Sequence, residues 1–170
     1  ARDRIRLIDM PQRLRSPYDA TPVDDVLDRW AELAPEAVAV RWGQGRQYTY
    51  AEAKRRAERA AAQLQQAGVG RNDIVALLLK RDGDMPLAMF GVLKAGAAYL
   101  PLDAAFPLQR MRKMLETAGA KLLLHSPDIM PPELDIAMLP LDMEQDLPFT
   151  PVAGRQPADR LNVIFTSGST

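Results

Sequence analysis

Five consecutive small residues, Thr166-Ser167-Gly168-Ser169-Thr170, hold four hydroxyls around one glycine. Backbone N–H groups exposed by a glycine-containing turn form a nest for an anion, and serine and threonine hydroxyls rotate to offer further donors to phosphoryl oxygens. Thr166, Ser167, Gly168, Ser169 and Thr170 are therefore the candidate phosphate-binding residues. A solvated tail or flexible linker has the same composition, so the assignment depends on what leads into it. That is Leu161-Asn162-Val163-Ile164-Phe165, a short apolar and partly β-branched run that reads as a buried strand emptying into the loop.

Other chemistry finds little footing. The chain has no cysteine, which removes disulfides, thiolate metal sites and a cysteine nucleophile. His125 is the only histidine; it ends an expected strand, has no evident partner and reads as an ordinary packed or exposed imidazole. Gly68-Val69-Gly70-Arg71-Asn72-Asp73 lacks the third glycine of a dinucleotide fingerprint and follows a helix instead of a strand. No cluster has metal-ligand spacing, so neither a metal site nor a catalytic side chain is assigned.

The elements that must position the loop fit one domain. Of 170 residues 47% are apolar and 26% charged, enough to bury a sizeable core. Lys plus Arg and Asp plus Glu both count 22, and zero formal net charge argues against nucleic acid or an anionic membrane as the main partner. The start, Ala1 to Arg6, is charged and lacks a signal peptide's apolar stretch, and no run approaches the ~20 apolar residues of a membrane span, so a cytoplasmic location is expected. Residues 1–17 read as an arm or interdomain linker.

Thr21 can cap a helix with Pro22 at its first position, along which Val23, Val26, Leu27, Trp30 and Leu33 recur at helical spacing. Val38–Trp42 and Gln47–Thr49 read as a hairpin around Gly43-Gln44-Gly45. Thr49-Tyr50-Ala51-Glu52 matches a capping box, and the helix it opens carries Ala53, Ala57, Ala60, Ala61 and Leu64 on one face, with Gly68 as its stop. An alanine face allows close approach to a neighbour. From Asp73 onward strands and helices alternate: Ile74–Leu79, a helix capped by Asp84 through Ala95, Ala97–Leu100, a helix from Pro107 to Gly119, and Leu122–Leu124, with Ile136–Leu139 as a further strand. These strands lack polar alternation, which predicts a parallel sheet covered on both faces, an α/β fold with right-handed crossovers. In Leu93-Lys94-Ala95-Gly96-Ala97-Ala98-Tyr99-Leu100-Pro101-Leu102-Asp103, Lys94 complements the carbonyl end of its helix, Gly96 can take the left-handed position and Pro101 ends a strand.

The last segment resembles the "LKAGxAYxPxD" core motif of adenylation domains in nonribosomal peptide synthetases. Tyr48-Thr49-Tyr50-Ala51-Glu52-Ala53 is similar to their earlier "LTYxEL" motif, and the terminal residues resemble the "YTSGSTGxPKG" phosphate loop, with Phe165 at the tyrosine position. Phe106-Pro107-Leu108-Gln109-Arg110-Met111 and Thr117-Ala118-Gly119-Ala120-Lys121-Leu122-Leu123-Leu124 link the motifs in family order. Tyr48 and Ala53 replace two leucines, a change of packing, and the sequence stops before the loop's second glycine, proline and lysine. The resemblance implies the N-terminal part of the large domain of the adenylate-forming fold, a layered α/β structure with two sheets packed on helices, over residues 18–170. It implies ATP and Mg²⁺ as cofactors, an amino acid as substrate, and a peptidyl carrier protein with its phosphopantetheine as acceptor. A neighbouring condensation domain and an MbtH-like protein are further partners of such domains. On this reading the 170 residues alone are expected to be inactive and to lack neighbours for their last strand. An acyl- or aryl-CoA ligase of the same superfamily, or a non-catalytic scaffold or docking fragment, are the alternatives.

Overall fold

The computed structural model describes residues 22–156 and 158–165. Helix α1, Val23–Leu33, leads into an antiparallel hairpin of β1, Val38–Trp42, and β2, Arg46–Thr49. Helix α2, Tyr50–Gln66, follows at once. The alternating part comprises β3, Ile74–Leu78; α3, Asp84–Lys94; β4, Ala98–Pro101; α4, Leu108–Ala118; β5, Leu122–His125; and β6, Ala137–Pro140.

The second sheet is wholly parallel, in the order β4-β3-β5-β6. Moving outward from β3 to β4 and then back across β3 to β5, with right-handed crossovers, forces α3 and α4 onto opposite faces. The core divides accordingly. Val75, Leu77, Leu122 and Leu124 pack with α2 and α3, whereas Ile74, Ala76, Leu78 and Leu123 pack with Met111, Met114 and Leu115 of α4. Residues on successive positions of a strand point to opposite faces, so continuous apolar runs are what a doubly covered sheet requires.

The capping box forms: the Glu52 N–H donates to Thr49 Oγ1 (3.3 Å), and the Thr49 N–H donates to Glu52 Oε2 (2.7 Å). Such a pair satisfies two donors that a helix start leaves orphaned. Ala53, Ala57, Ala60, Ala61 and Leu64 are all fully buried, and α3 lies close on that face. Gly119 ends α4 in the left-handed conformation, φ 64°.

Several expectations change. Helix α1 begins at Val23, with Pro22 at the N-cap position and no side-chain cap; the expected cap Thr21 lies outside the described residues. Its apolar stripe is only partly covered: Leu27 packs into the core and Trp30 stacks on Tyr50. The buried residues of α1 are Asp24 and Leu27, while Val23, Val26, Trp30 and Leu33 are partly exposed, and the ion pairs of Asp24 and Asp28 add to the apolar contacts that fix the helix. Asp84 is the first residue of α3 instead of its cap, and its N–H donates to the Asp82 carboxylate (3.0 Å). The run Leu161–Phe165 forms no full strand. It makes one parallel bridge, Asn162 beside Tyr99 of β4, and Ile164 stays 67% exposed. The five residues Thr166, Ser167, Gly168, Ser169 and Thr170 lie outside the described residues.

Candidate functional site

In an open parallel sheet, ligands bind outside the carboxyl ends of the strands. Here those ends carry Leu79, Pro101 and His125, and a cleft of about 470 Å³ opens beside the first two. Its walls include Phe106, Met114, Ile129 and Phe165, and its polar groups are Lys80, Arg81, Asp103 and Arg110. Phe165, which precedes Thr166 in the sequence, is the last described residue.

The motif around Gly96 builds the approach to it. Lys94 is only 3% exposed and its Nζ lies 2.6 and 2.7 Å from the two carboxylate oxygens of Asp28, which pins α3 to α1. It does more than complement the helix dipole. Gly96 adopts φ +81°, and a Cβ there would stand 3.2 Å from Val152 and 3.3 Å from the Arg71 backbone. Its carbonyl accepts from the Asn72 N–H (3.0 Å), bending the chain into β4. Tyr99 then uses its outer edge: its N–H donates to the Leu161 carbonyl (3.2 Å) and its carbonyl accepts from the Val163 N–H (2.9 Å). Asp103 accepts from Arg81 (3.0 Å) and from the Ala105 N–H (2.9 Å), closing the turn at the cleft floor.

The segment preceding the loop is anchored by charge. Arg155 pairs with Asp24 and, at 2.7 Å, with Asp25 of α1. Burial works to lower the Arg155 pKa, but hydrogen bonds and charge from the two aspartates outweigh it and the pKa rises. Arg71 forks onto Asp159 at 2.8 and 3.1 Å. Hydrogen bonding to Arg71, helped by the Gln156 N–H, holds the Asp159 carboxyl below the usual carboxylate range. On the sheet's other flank, burial and a 2.9 Å hydrogen bond to Asp84 push the Tyr48 phenol up to about 12.

Arg110, Arg155 and Asp28 were missed by sequence reasoning. The spacing of Phe106 and Arg110, one helical turn apart, was a signal for the first; the other two depend on partners 66 and about 130 residues away. His125 has Nδ1 2.9 Å from the Ser126 carbonyl oxygen and no carboxylate partner among the described residues. No group of three or more His, Cys, Asp or Glu side chains placed to hold a metal ion occurs among the described residues, and no step is routed through Mg²⁺. The cleft carries the cationic side chains Lys80, Arg81 and Arg110, a donor set that suits the phosphates of a nucleotide. No helix among the described residues is long and apolar enough to cross a membrane.

A strand–helix alternation over a parallel sheet of this order, with helices on both faces, defines an α/β domain. The chain belongs to the AMP-binding enzyme family, which matches residues 27–170. It is 41% identical over 152 residues to one of the plipastatin synthase proteins of Bacillus subtilis (strain 168), covering 85% of this chain and 6% of that protein. It superimposes with a TM-score of 0.78 on the nonribosomal peptide synthetase FmoA3 in its AMPPNP-bound form, at 34% identity, covering 89% of this chain and 17% of that one. The N-terminal subdomain of Klebsiella oxytoca NpsA, in complex with anthranilyl-AMSN, gives the same TM-score at 25% identity, covering 88% and 39%. The chain thus corresponds to the N-terminal part of a peptide-synthetase adenylation domain and spans a small share of the length of these relatives.

Proposed function

We propose that the intact protein carrying this chain activates an amino acid, forming an aminoacyl adenylate and pyrophosphate from ATP, and passes the aminoacyl group to the phosphopantetheine thiol of a peptidyl carrier protein. The observation that carries this reading is the agreement with FmoA3, which has been seen with AMPPNP and, in a second structure, with α-methyl-L-serine-AMP. The carrier partner is supported by NpsA fused to ThdA, an adenylation–PCP di-domain 26% identical to this chain. Residues 1–17 are read as an arm or linker and 18–170 as part of the adenylation domain, in a cytoplasmic protein with a neighbouring condensation domain and an MbtH-like protein as further partners.

In this reaction the substrate carboxylate displaces pyrophosphate from the α-phosphorus, and negative charge grows on the departing group. Fixed N–H and hydroxyl donors stabilise that charge without a protein nucleophile. Thr166, Ser167, Gly168, Ser169 and Thr170 supply such donors. Tyr99, Arg155 and Asp159 hold the segment that leads to them, which is positioning rather than chemistry.

A second reading, activation of an aryl acid, is favoured by the anthranilyl-AMSN complex of NpsA. ATP–pyrophosphate exchange by the intact protein, run against panels of amino acids and of aryl and fatty acids, separates them. Exchange stimulated by one amino acid supports the proposal. Stimulation by aryl or fatty acids alone assigns the ligase alternative, and no stimulation by any acid leaves a scaffold role.

A further inference from the structure

The loop between β3 and α3, residues 79–83, carries Leu79, Lys80 and Arg81 to the wall of the cleft. Lys80 pairs with Asp128 and Arg81 with Asp103 (3.0 Å), yet the two cationic side chains stay 52% and 83% exposed. Exposed pairs of this kind are worth little, so a polyanionic ligand can displace the carboxylates. The loop backbone is tied at both ends: the Lys80 N–H donates to Ser126 Oγ (2.9 Å), and the Asp84 N–H donates to the Asp82 carboxylate (3.0 Å). Where the loop meets α3, Gly83 lies against Trp42, the last residue of β1. A Cβ added to Gly83 would stand 2.5 to 2.7 Å from three atoms of the indole ring. The φ of Gly83 is −67°, which any residue adopts, so the ring and not the backbone requires glycine here. Trp42 packs in turn on Tyr48, with ring centroids 4.6 Å apart. Tyr48 is itself held, by its hydroxyl on Asp84 (2.9 Å) and by the Arg56 guanidinium 4.4 Å over its ring. The hairpin therefore grips two consecutive residues, Gly83 and Asp84, at the end of the loop that walls the cleft.

From this we infer that Trp42 is a positioning residue: pressed against Gly83, it fixes the loop that holds Lys80 and Arg81 at the cleft, and so sets how well that wall receives the phosphates of a nucleotide. The inference rests on the adenylation reading for ATP as the ligand. Trp42 lines no part of the cleft and acts through the backbone it touches. Close-packed contacts yield little, so a ring seated on a glycine leaves the loop one position. Without the ring, or with a methyl group driven into it, the two cations lose that position.

Calorimetric ATP affinity and amide hydrogen exchange at Lys80 and Asp84, both in the intact protein without amino acid, test it. The variants are Gly83→Ala, Trp42→Ala, Trp42→Phe and the double substitution Trp42→Ala with Gly83→Ala. Gly83→Ala should weaken ATP binding about 10-fold, as a misplaced wall would, and speed exchange at both amides. Trp42→Ala should do the same, and Trp42→Phe should recover most of the loss. Adding Gly83→Ala to Trp42→Ala should change ATP affinity by less than about two-fold more, because the methyl group then meets no ring. A merely structural role lowers Tm and leaves the ATP affinity of the folded protein alone; that result, or additive losses in the double variant, overturns the inference. Should Trp42→Ala not fold, Gly83→Ala decides, and wild-type ATP affinity in it overturns the inference. The two readings fail separately. Trp42-dependent ATP affinity in a protein that activates no amino acid removes the adenylation reading and keeps the joint. Activation of an amino acid with ATP affinity indifferent to Trp42 and Gly83 removes the joint and keeps the reading.

Discussion

Lys94 on α3 and Asp28 on α1, 66 residues apart, form a two-pronged ion pair at 2.6 and 2.7 Å, in which the ammonium is almost fully buried and the carboxylate is partly exposed. The pair is asymmetric, and its two halves should respond differently to removal. Asp28→Ala strands a buried charge and is expected to cost about 3 kcal/mol. Lys94→Met fills the same space with apolar atoms and leaves Asp28 near Lys54, 3.9 Å away, so stability is expected within about 1 kcal/mol of wild type. Denaturant midpoints with unchanged slopes measure both; equal losses would show that the pair does not carry this asymmetry.

Close approach of α2 and α3 rests on Gly91. A Cβ added there would lie 2.6 Å from the Ala60 Cβ and 2.9 Å from the Ala57 carbonyl oxygen, which is helix backbone that cannot yield. Alanine favours a helix over glycine by about 1 kcal/mol, yet the overlap outweighs that gain, and Gly91→Ala is expected to destabilise by roughly 1–3 kcal/mol. A melting temperature at or above wild type would contradict this packing.

The Tyr48 phenol gives a pH signature. Folding raises its pKa from 10.0 to about 12, so between those values the folded chain keeps a proton that the unfolded chain has lost. Its contribution is complete below about pH 10 and disappears as pH rises toward 12. Tyr48→Phe should therefore flatten the alkaline fall of Tm between pH 10 and 12 relative to wild type. A parallel fall in both proteins would show that another group controls this limb.

The loop makes a kinetic prediction. In the intact protein, Thr166→Ala or Ser167→Ala should slow adenylate formation by about 10- to 1000-fold while changing amino-acid affinity little, because donors aimed at developing charge act mainly in the transition state. Rapid-quench rates set against equilibrium amino-acid binding separate the two. Losses of equal size in both would move these residues to the amino-acid pocket.

Local rules made much of the fold legible. Thr49 and Glu52 announce a helix start by themselves, and the unbroken apolar strands announce a sheet buried on both faces. Long-range partners are of another kind: nothing near Asp24 or Asp28 in the sequence reveals that Arg155 and Lys94 meet them. The run Leu161–Phe165 has a strand's composition, but among the described residues only Tyr99 pairs with it, and one bridge does not make a ladder. Thr166, Ser167, Gly168, Ser169 and Thr170 lie outside the described residues, so their reading as a phosphate loop rests on their types and order alone.

The most direct measurement is to incubate the intact protein with ATP and the full set of amino acids and to identify the products by mass. One aminoacyl adenylate should accumulate, with pyrophosphate released in equal amount and no ADP formed. ADP and inorganic phosphate, or ATP turnover indifferent to every amino acid, would contradict amino-acid adenylation.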